Sequence, residues 1–162
     1  MKIICSVLLA LLMSAAVIAQ ASIRQGLQVN GVALGATYTA AVKKLGKPTR
    51  DVTNRQIDQC IGSRIRTLYY PGLKLELVEG EKKTFSVFSF DVTSGTWNVS
   101  GIKLGDASSV VEKQFGKTGR TIEKEKAGPR WSYDMTDESP GGSNFYFKNG
   151  KVVEISSTYE MC

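Results

Sequence analysis

Two stretches of the sequence match each other and decide the expected fold. They are Val29-Asn30-Gly31-Val32-Ala33-Leu34-Gly35 and Val99-Ser100-Gly101-Ile102-Lys103-Leu104-Gly105. A second match, between Leu45-Gly46-Lys47 and Phe115-Gly116-Lys117, has the same offset of 70 residues, since 99 − 29 and 115 − 45 are equal. Two matches in register predict an internal duplication.

Apolar residues between the matching stretches have the spacing of one helix face. They are Tyr38, Ala41, Val42 and Leu45 in the first copy, and Ala107, Val111 and Phe115 in the second. Thr37 is the candidate N-cap of the first helix, and Asp106 or Ser108 is that of the second. Gly46 and Gly116 stand where a glycine commonly ends a helix.

Alternating apolar residues after each helix predict three strands in each copy. The predicted strands are 64–70, 73–77 and 84–92 in the first copy, and 130–135, a strand through Phe145 and Phe147, and 152–159 in the second. The alternation breaks at Val87-Phe88, which predicts a bulge or burial on both faces. Asn149-Gly150 predicts a type I′ hairpin turn.

The expected fold class is therefore α+β, with a tandem duplication. Each repeat is predicted to be a short helix, or a helical hairpin, packed on a small antiparallel sheet. The first repeat covers residues 22–94 and the second covers residues 95–162. Thr93-Ser94-Gly95-Thr96 reads as the short joint between them.

Residues 1–21 predict a signal peptide and therefore export. Lys2 precedes an apolar run over residues 3–18, and Ala19-Gln20-Ala21 supplies a small-x-small cleavage site. The run falls short of the about 20 apolar residues that cross a membrane, and an uncleaved anchor is the alternative. We expect a mature protein that begins at Ser22, is secreted or periplasmic, and has no membrane span.

Two cysteines remain after the predicted cleavage, Cys60 and Cys162. Because exported thiols meet an oxidising compartment, we expect a disulfide between them. Free thiols or an intermolecular bridge are the alternatives. The chain contains no histidine, and two cysteines do not complete a tetrahedral zinc site, so no metal or other cofactor is expected.

The composition also argues against an enzyme. Without histidine, Ser-His-Asp and Cys-His arrangements are excluded. Asp134, Asp137 and Glu138 could form a calcium site or a pair of catalytic carboxylates, but they lack the spacing of an EF-hand. We interpret them as a solvated loop, and a small carboxylate-dependent enzyme or a ligand carrier stays a lesser alternative.

The chain is basic, with a net charge of +6 and a pI of about 9.3. Such a charge permits contact with an anionic partner. The lysines and arginines are, however, dispersed and mixed with Glu112, Glu123 and Glu125. We interpret the charge mainly as a solubility feature, and we predict no nucleic-acid partner.

The stretch 31–37, the short helix after it and Leu45-Gly46-Lys47-Pro48 resemble a known repeat. It is the repeat of the beta-lactamase inhibitory protein family and of the small outer-membrane assembly lipoproteins of the SmpA/OmlA group. The resemblance implies a helix on a small antiparallel sheet, used twice as in the inhibitor, and a protein-binding function. The chain departs from both groups, because it has no lipidated cysteine and no disulfide within each repeat.

Aromatic residues on the predicted strands supply the expected binding surface: Tyr69, Tyr70, Trp131 and Tyr133. Tyrosine and tryptophan often anchor protein interfaces. Since neighbours in a strand point to opposite faces, one of Tyr69 and Tyr70 should face away from the helices. We expect a monomer that binds a protein partner there, and inhibition of an exported enzyme is the narrower form of this expectation. A structural module of envelope assembly is the alternative.

Overall fold

Most of the described chain lies in strands. The structure, a computed structural model, describes residue 23 and residues 26–126, 128–136 and 140–161. The strands are β1 Gln28–Val29, β2 Val32–Ala33, β3 Arg50–Thr53, β4 Ile65–Tyr70, β5 Leu73–Glu79, β6 Phe85–Val92, β7 Arg120–Glu125, β8 Gly128–Asp134, β9 Gly141–Lys148 and β10 Lys151–Tyr159. The helices are α1 Tyr38–Leu45, α2 Ser108–Phe115 and a 3₁₀ turn at Glu81–Lys83.

Eight of the strands form one antiparallel sheet in the order β3-β4-β5-β6-β10-β9-β8-β7. Strands β3 to β6 come from the first half of the chain, and strands β7 to β10 come from the second. The two groups join where β6 pairs with β10, with Val92 opposite Ile155 and Asp91 opposite Ser156. The remaining strands, β1 and β2, form a separate two-stranded ribbon.

The predicted fold class is wrong. The protein is mostly β, with one eight-stranded sheet and two α-helices of eight residues each among the described residues. It is not a tandem α+β repeat with a small sheet under each helix. The physical reason lies at β6 and β10, because each would leave unpaired backbone groups at the edge of a small sheet. The pairing of β6 with β10 removes both of these edges. The predicted boundaries of the two repeats, 22–94 and 95–162, stay a prediction.

Both short helices form where the apolar spacing places them. Thr37 caps α1 as predicted, since its Oγ1 accepts from the Ala40 N–H at 3.3 Å. The predicted cap of α2 is wrong, because Ala107 holds the N-cap position and makes no side-chain capping bond. Asp106 instead accepts from the Lys103 N–H at 2.8 Å, which fixes the turn before the helix. Both helices end at the predicted glycines.

The two matching stretches of sequence pair with each other in space. Val29 bridges Val99 in antiparallel fashion, and the Asn30 N–H donates to the Asn98 carbonyl at 2.8 Å. The Gln28 N–H donates to Ser100 Oγ at 2.9 Å, and the Ser100 N–H returns a bond of 2.9 Å to the Gln28 carbonyl. These bonds tie the two halves of the chain together away from the large sheet.

Alternation along β5 separates the two faces of the large sheet. Leu73, Leu75 and Leu77 are buried in one core cluster with Ala41 of α1 and with Val111 and Phe115 of α2, so their side of the sheet is the helix face. Lys74 and Glu76 point to the opposite side, the open face.

The bulge predicted at Val87-Phe88 is confirmed by a register shift between β5 and β6, and the Asn149-Gly150 turn is confirmed by positive φ angles of 52° and 71°.

Two strands of the large sheet escaped prediction, β3 and β7. They are the outermost strands of the large sheet, and most of their residues are exposed. An edge strand without a buried face needs no apolar alternation, so Arg50-Asp51-Val52-Thr53 carries no strand pattern.

Residues 1–22 and Cys162 lie outside the described residues, so the signal peptide and the Cys60–Cys162 disulfide stay predictions. Among the described residues, none of the helices is long and apolar enough to span a membrane.

Candidate functional site

Tyr70 and Tyr133 lie in the core and not on a surface. Their exposed fractions are 7% and 1%. The Tyr70 hydroxyl donates to the Gly46 carbonyl at 3.1 Å, and the Tyr133 hydroxyl donates to the Gly116 carbonyl at 3.0 Å. Each hydroxyl therefore satisfies a carbonyl at the end of a helix, a group that would otherwise lack a partner. Burial raises the pKa of both tyrosines.

Trp131 shares the helix face with Tyr133, because the two residues are two positions apart on β8. Its ring lies 4.6 Å from that of buried Phe147, and the Arg120 guanidinium stacks 3.9 Å from its centroid. Tyr69 is the exception among the predicted aromatics, because it points to the open face with 36% of its surface exposed. The structure therefore does not bring the four aromatics together in one surface.

The open face is polar instead of aromatic. A row of opposed residues crosses all eight strands; it consists of Arg50, Tyr69, Lys74, Asp91, Ser156, Asn144, Ser132 and Thr121. Lys74 Nζ lies 2.9 Å from the Asp91 carboxylate, and Ser132 donates to Asn144 at 2.7 Å. Such a row suits a sheet face that meets water.

Charged residues of the open face pair with neighbours on the sheet. Lys74 bridges Asp91 and Glu76, and Arg130 pairs with Glu123. Asp134 is exposed at the end of β8. These contacts stabilise neighbouring strands.

A different surface stands out at one end of β4 and β5, where a loop over residues 54–64 meets a turn over residues 80–84. The Glu79 N–H donates to the Arg64 carbonyl at 2.9 Å, which brings the loop and the turn together. Asp58 orders the loop, because its Oδ1 accepts from the Cys60 and Ile61 N–H groups at 3.0 Å each.

A cavity opens between this loop and this turn, and we call it the loop-end pocket. It is lined by Arg55, Ile57, Gly62, Ser63, Arg64, Glu79, Gly80, Lys82 and Lys83. Ile57 is 64% exposed, the highest value among the large apolar residues that the structure describes as exposed. The pocket thus combines a large exposed apolar side chain with several cationic lining residues.

Charge in the loop-end pocket is strongly positive. Four cationic side chains and one carboxylate line it, and that carboxylate is engaged: Arg64 Nε donates to Glu79 Oε2 at 2.7 Å. Arg64 thereby holds the pKa of Glu79 below its usual range. Arg55 and Lys82 make no ion pair with any residue that the structure describes, whereas the charge of Lys83 contributes to the lowered pKa of Glu79.

The backbone of the turn is strained at its two lysines. Lys82 has φ 55° and Lys83 has φ 58°, both in the left-handed region. A non-glycine residue there costs about 1–2 kcal/mol. In three other turns of the described chain the second of two such residues is glycine: Asn30-Gly31, Ser100-Gly101 and Asn149-Gly150.

The described residues contain no group of three or more histidine, cysteine, aspartate or glutamate side chains that could hold a metal ion. The loop-end pocket was not predicted from the sequence. Its one signal was the charged run Glu81-Lys82-Lys83 between two strands, where turn residues such as asparagine and glycine are typical.

No family model matches the chain, and no curated protein matches it. Two solved structures share 14% identity with it: an extracellular protein containing an SCP domain from Bacillus anthracis, with a TM-score of 0.45, and a cysteine-rich secretory protein from Staphylococcus aureus, with a TM-score of 0.44. Each match covers 77% of this chain, and 43% and 44% of the other chains. The chain thus spans less than half the length of either, and so distant a likeness carries no conclusion about function.

Proposed function

We propose that this chain is an exported, non-catalytic protein-binding module that contacts its partner through the loop-end pocket. Ile57 supports the proposal most directly, because 64% of this large apolar side chain is exposed in a pocket that four cationic side chains also line. Export rests on the signal-peptide pattern of residues 1–21.

Burial of Ile57 by a partner would supply useful binding energy. Full burial of an isoleucine side chain is worth about 1.5–3 kcal/mol. The loop that carries Ile57 is already ordered by Asp58, so little conformational entropy is lost on binding. Arg55 and Arg64 at the margin of the pocket fit the usual enrichment of arginine in interfaces.

The aromatic surface expected from the sequence is a weaker candidate for the partner site than the loop-end pocket. On the open face, Tyr69 is flanked by Arg50, whose guanidinium lies 5.4 Å from the ring centroid, and the neighbouring charges are paired. The buried tyrosines of the helix face are inaccessible while the chain is folded. Inhibition of an exported enzyme and a structural role in envelope assembly are the two narrower forms of the proposal, and the identity of the partner separates them.

The test is site-specific photo-cross-linking in the native exported fraction. A photoreactive residue replaces Ile57 in one variant and Ile122 in a matched control. Ile122 is also exposed, at 51%, but lies on β7 at the outer edge of the sheet. We expect position 57 to give one discrete cross-linked protein and position 122 to give none.

The purified pair then completes the test. Ile57→Ala should weaken the complex by about tenfold, the equivalent of about 1.4 kcal/mol, and Ile122→Ala should leave it unchanged. The proposal fails if position 57 cross-links to nothing, or if both positions cross-link to the same mixture of proteins.

A further inference from the structure

We propose that the loop-end pocket recognises an acidic segment of a protein, with carboxylates beside an apolar residue. The inference rests on the proposed function and specifies the chemistry of the partner. Four cationic side chains line the pocket beside one carboxylate, Glu79, which Arg64 already engages. Arg55 and Lys82 make no ion pair with the described residues, and the excess of cations creates a positive potential that attracts carboxylates.

The second observation is the mixture of charge and apolar surface. Ile57 lines the same cavity as the four cations. A free phosphate would use the cations but would leave Ile57 in water. A segment that carries glutamate or aspartate on either side of a leucine, by contrast, would engage both parts of the pocket. The Arg55 guanidinium can donate two parallel N–H···O hydrogen bonds to one carboxylate, whereas each lysine contributes a point charge.

The third observation is the strain under the lysines. Lys82 and Lys83 occupy left-handed backbone positions, and the chain fills equivalent second positions with Gly31, Gly101 and Gly150. Stability alone would favour asparagine and glycine at this turn. Strained residues often serve a function that offsets their cost in stability. Here that function would be the positive charge that the two lysines place at the pocket.

Fluorescence anisotropy with labelled peptides tests the inference. The probe is a short peptide of glutamate and aspartate around one leucine, and its control has glutamine and asparagine in place of the acids. Lys82→Gln/Lys83→Gln removes two charges while it keeps two left-handed non-glycine residues. Lys148→Gln/Lys151→Gln removes two exposed charges beside the Asn149-Gly150 turn and serves as the matched variant.

We expect the acidic peptide to bind more tightly than its neutral control, and to bind more weakly as salt is added. Lys82→Gln/Lys83→Gln should weaken that binding by about tenfold, from the usual worth of exposed charge pairs. Lys148→Gln/Lys151→Gln should change it less than about twofold. Melting curves should show that all variants are folded, since each of these lysines is exposed.

Three results would overturn the inference. They are equal binding of the acidic and neutral peptides, an equal loss from both lysine pairs, and tighter binding of a DNA oligonucleotide or of anionic phospholipid vesicles than of the peptide. Failure here is distinguishable from failure of the proposed function. A discrete cross-link at position 57, together with equal binding of the acidic and neutral peptides, would support the binding module and contradict its preference for acidic segments. Binding of the acidic peptide without any cross-linked protein would support that preference and contradict the binding module.

Discussion

The strained turn at the loop-end pocket predicts that Lys83→Gly stabilises the protein. Lys83 has φ 58°, and a left-handed non-glycine residue costs about 1–2 kcal/mol. Glycine removes that cost but loses about 0.5–1 kcal/mol through the greater freedom of the unfolded chain. The net gain is therefore about 0.5–1 kcal/mol.

The hairpin between β9 and β10 supplies the reverse experiment. Gly150 has φ 71°, and a Cβ built on it meets no atom within 4 Å. Gly150→Ala therefore introduces backbone strain without a steric clash. It should destabilise the protein by about 0.5–1 kcal/mol, because the cost of a left-handed alanine exceeds the gain from a less flexible unfolded chain. The two variants should move in opposite directions.

Urea unfolding and differential scanning calorimetry measure both effects. In a domain of this size, the expected change corresponds to a shift in melting temperature of about 1–4 °C. Lys83→Gly should also weaken binding of the acidic peptide, so its stability and its affinity change with opposite signs. A Lys83→Gly variant that is no more stable than the parent, with Gly150→Ala equally unchanged, would refute the argument from strain.

Three further predictions concern the sheet. Tyr133→Phe should lower the free energy of unfolding by about 1 kcal/mol in urea, because a buried hydrogen bond to a helix carbonyl is lost, whereas Tyr69→Phe should change it little. The Arg66 guanidinium holds the pKa of Asp51 below its usual value, so the ionised carboxylate stabilises the fold. Asp51→Asn should therefore lower the free energy of unfolding by about 1 kcal/mol at neutral pH. This loss should shrink as the pH falls below about 3.9, where the carboxylate becomes protonated. Burial raises the pKa of Glu154, so the ionised carboxylate is unfavourable in the folded chain. Glu154→Gln should therefore raise the melting temperature at neutral pH. This gain should vanish below about pH 4.3, where the carboxyl group is protonated in both the folded and the unfolded chain.

Local patterns in the sequence predicted most of the elements. Leu73, Leu75 and Leu77 alternate with charged residues, and the strand that they predict forms with the expected buried face. The Asn149-Gly150 hairpin and the cap at Thr37 also follow from local chemistry, because a turn or a cap depends on neighbours within a few residues.

Long-range pairing was beyond the sequence patterns. Whether β6 and β10 end two sheets or join one depends on contacts between residues more than 60 positions apart, such as Val92 and Ile155. The fold class was wrong for that reason. The edge strands β3 and β7 were missed because they bury too little surface to show a pattern.

The faces of the aromatic residues were predicted only in part. Alternation correctly required Tyr69 and Tyr70 to point to opposite sides, and the structure confirms it. The assumption that a tyrosine marks an interface did not hold for Tyr70 and Tyr133, because each hydroxyl finds a carbonyl partner at a helix end and the ring can then be buried. The loop-end pocket depends on how two loops meet, which no local pattern shows.

Hydrogen–deuterium exchange of the complex with the protein captured at position 57 maps the residues that the partner covers. We expect slower exchange at amides in residues 54–64 and 80–84, with little change elsewhere. Protection concentrated on the open face, around Tyr69 and Lys74, with residues 54–64 unchanged, would contradict it.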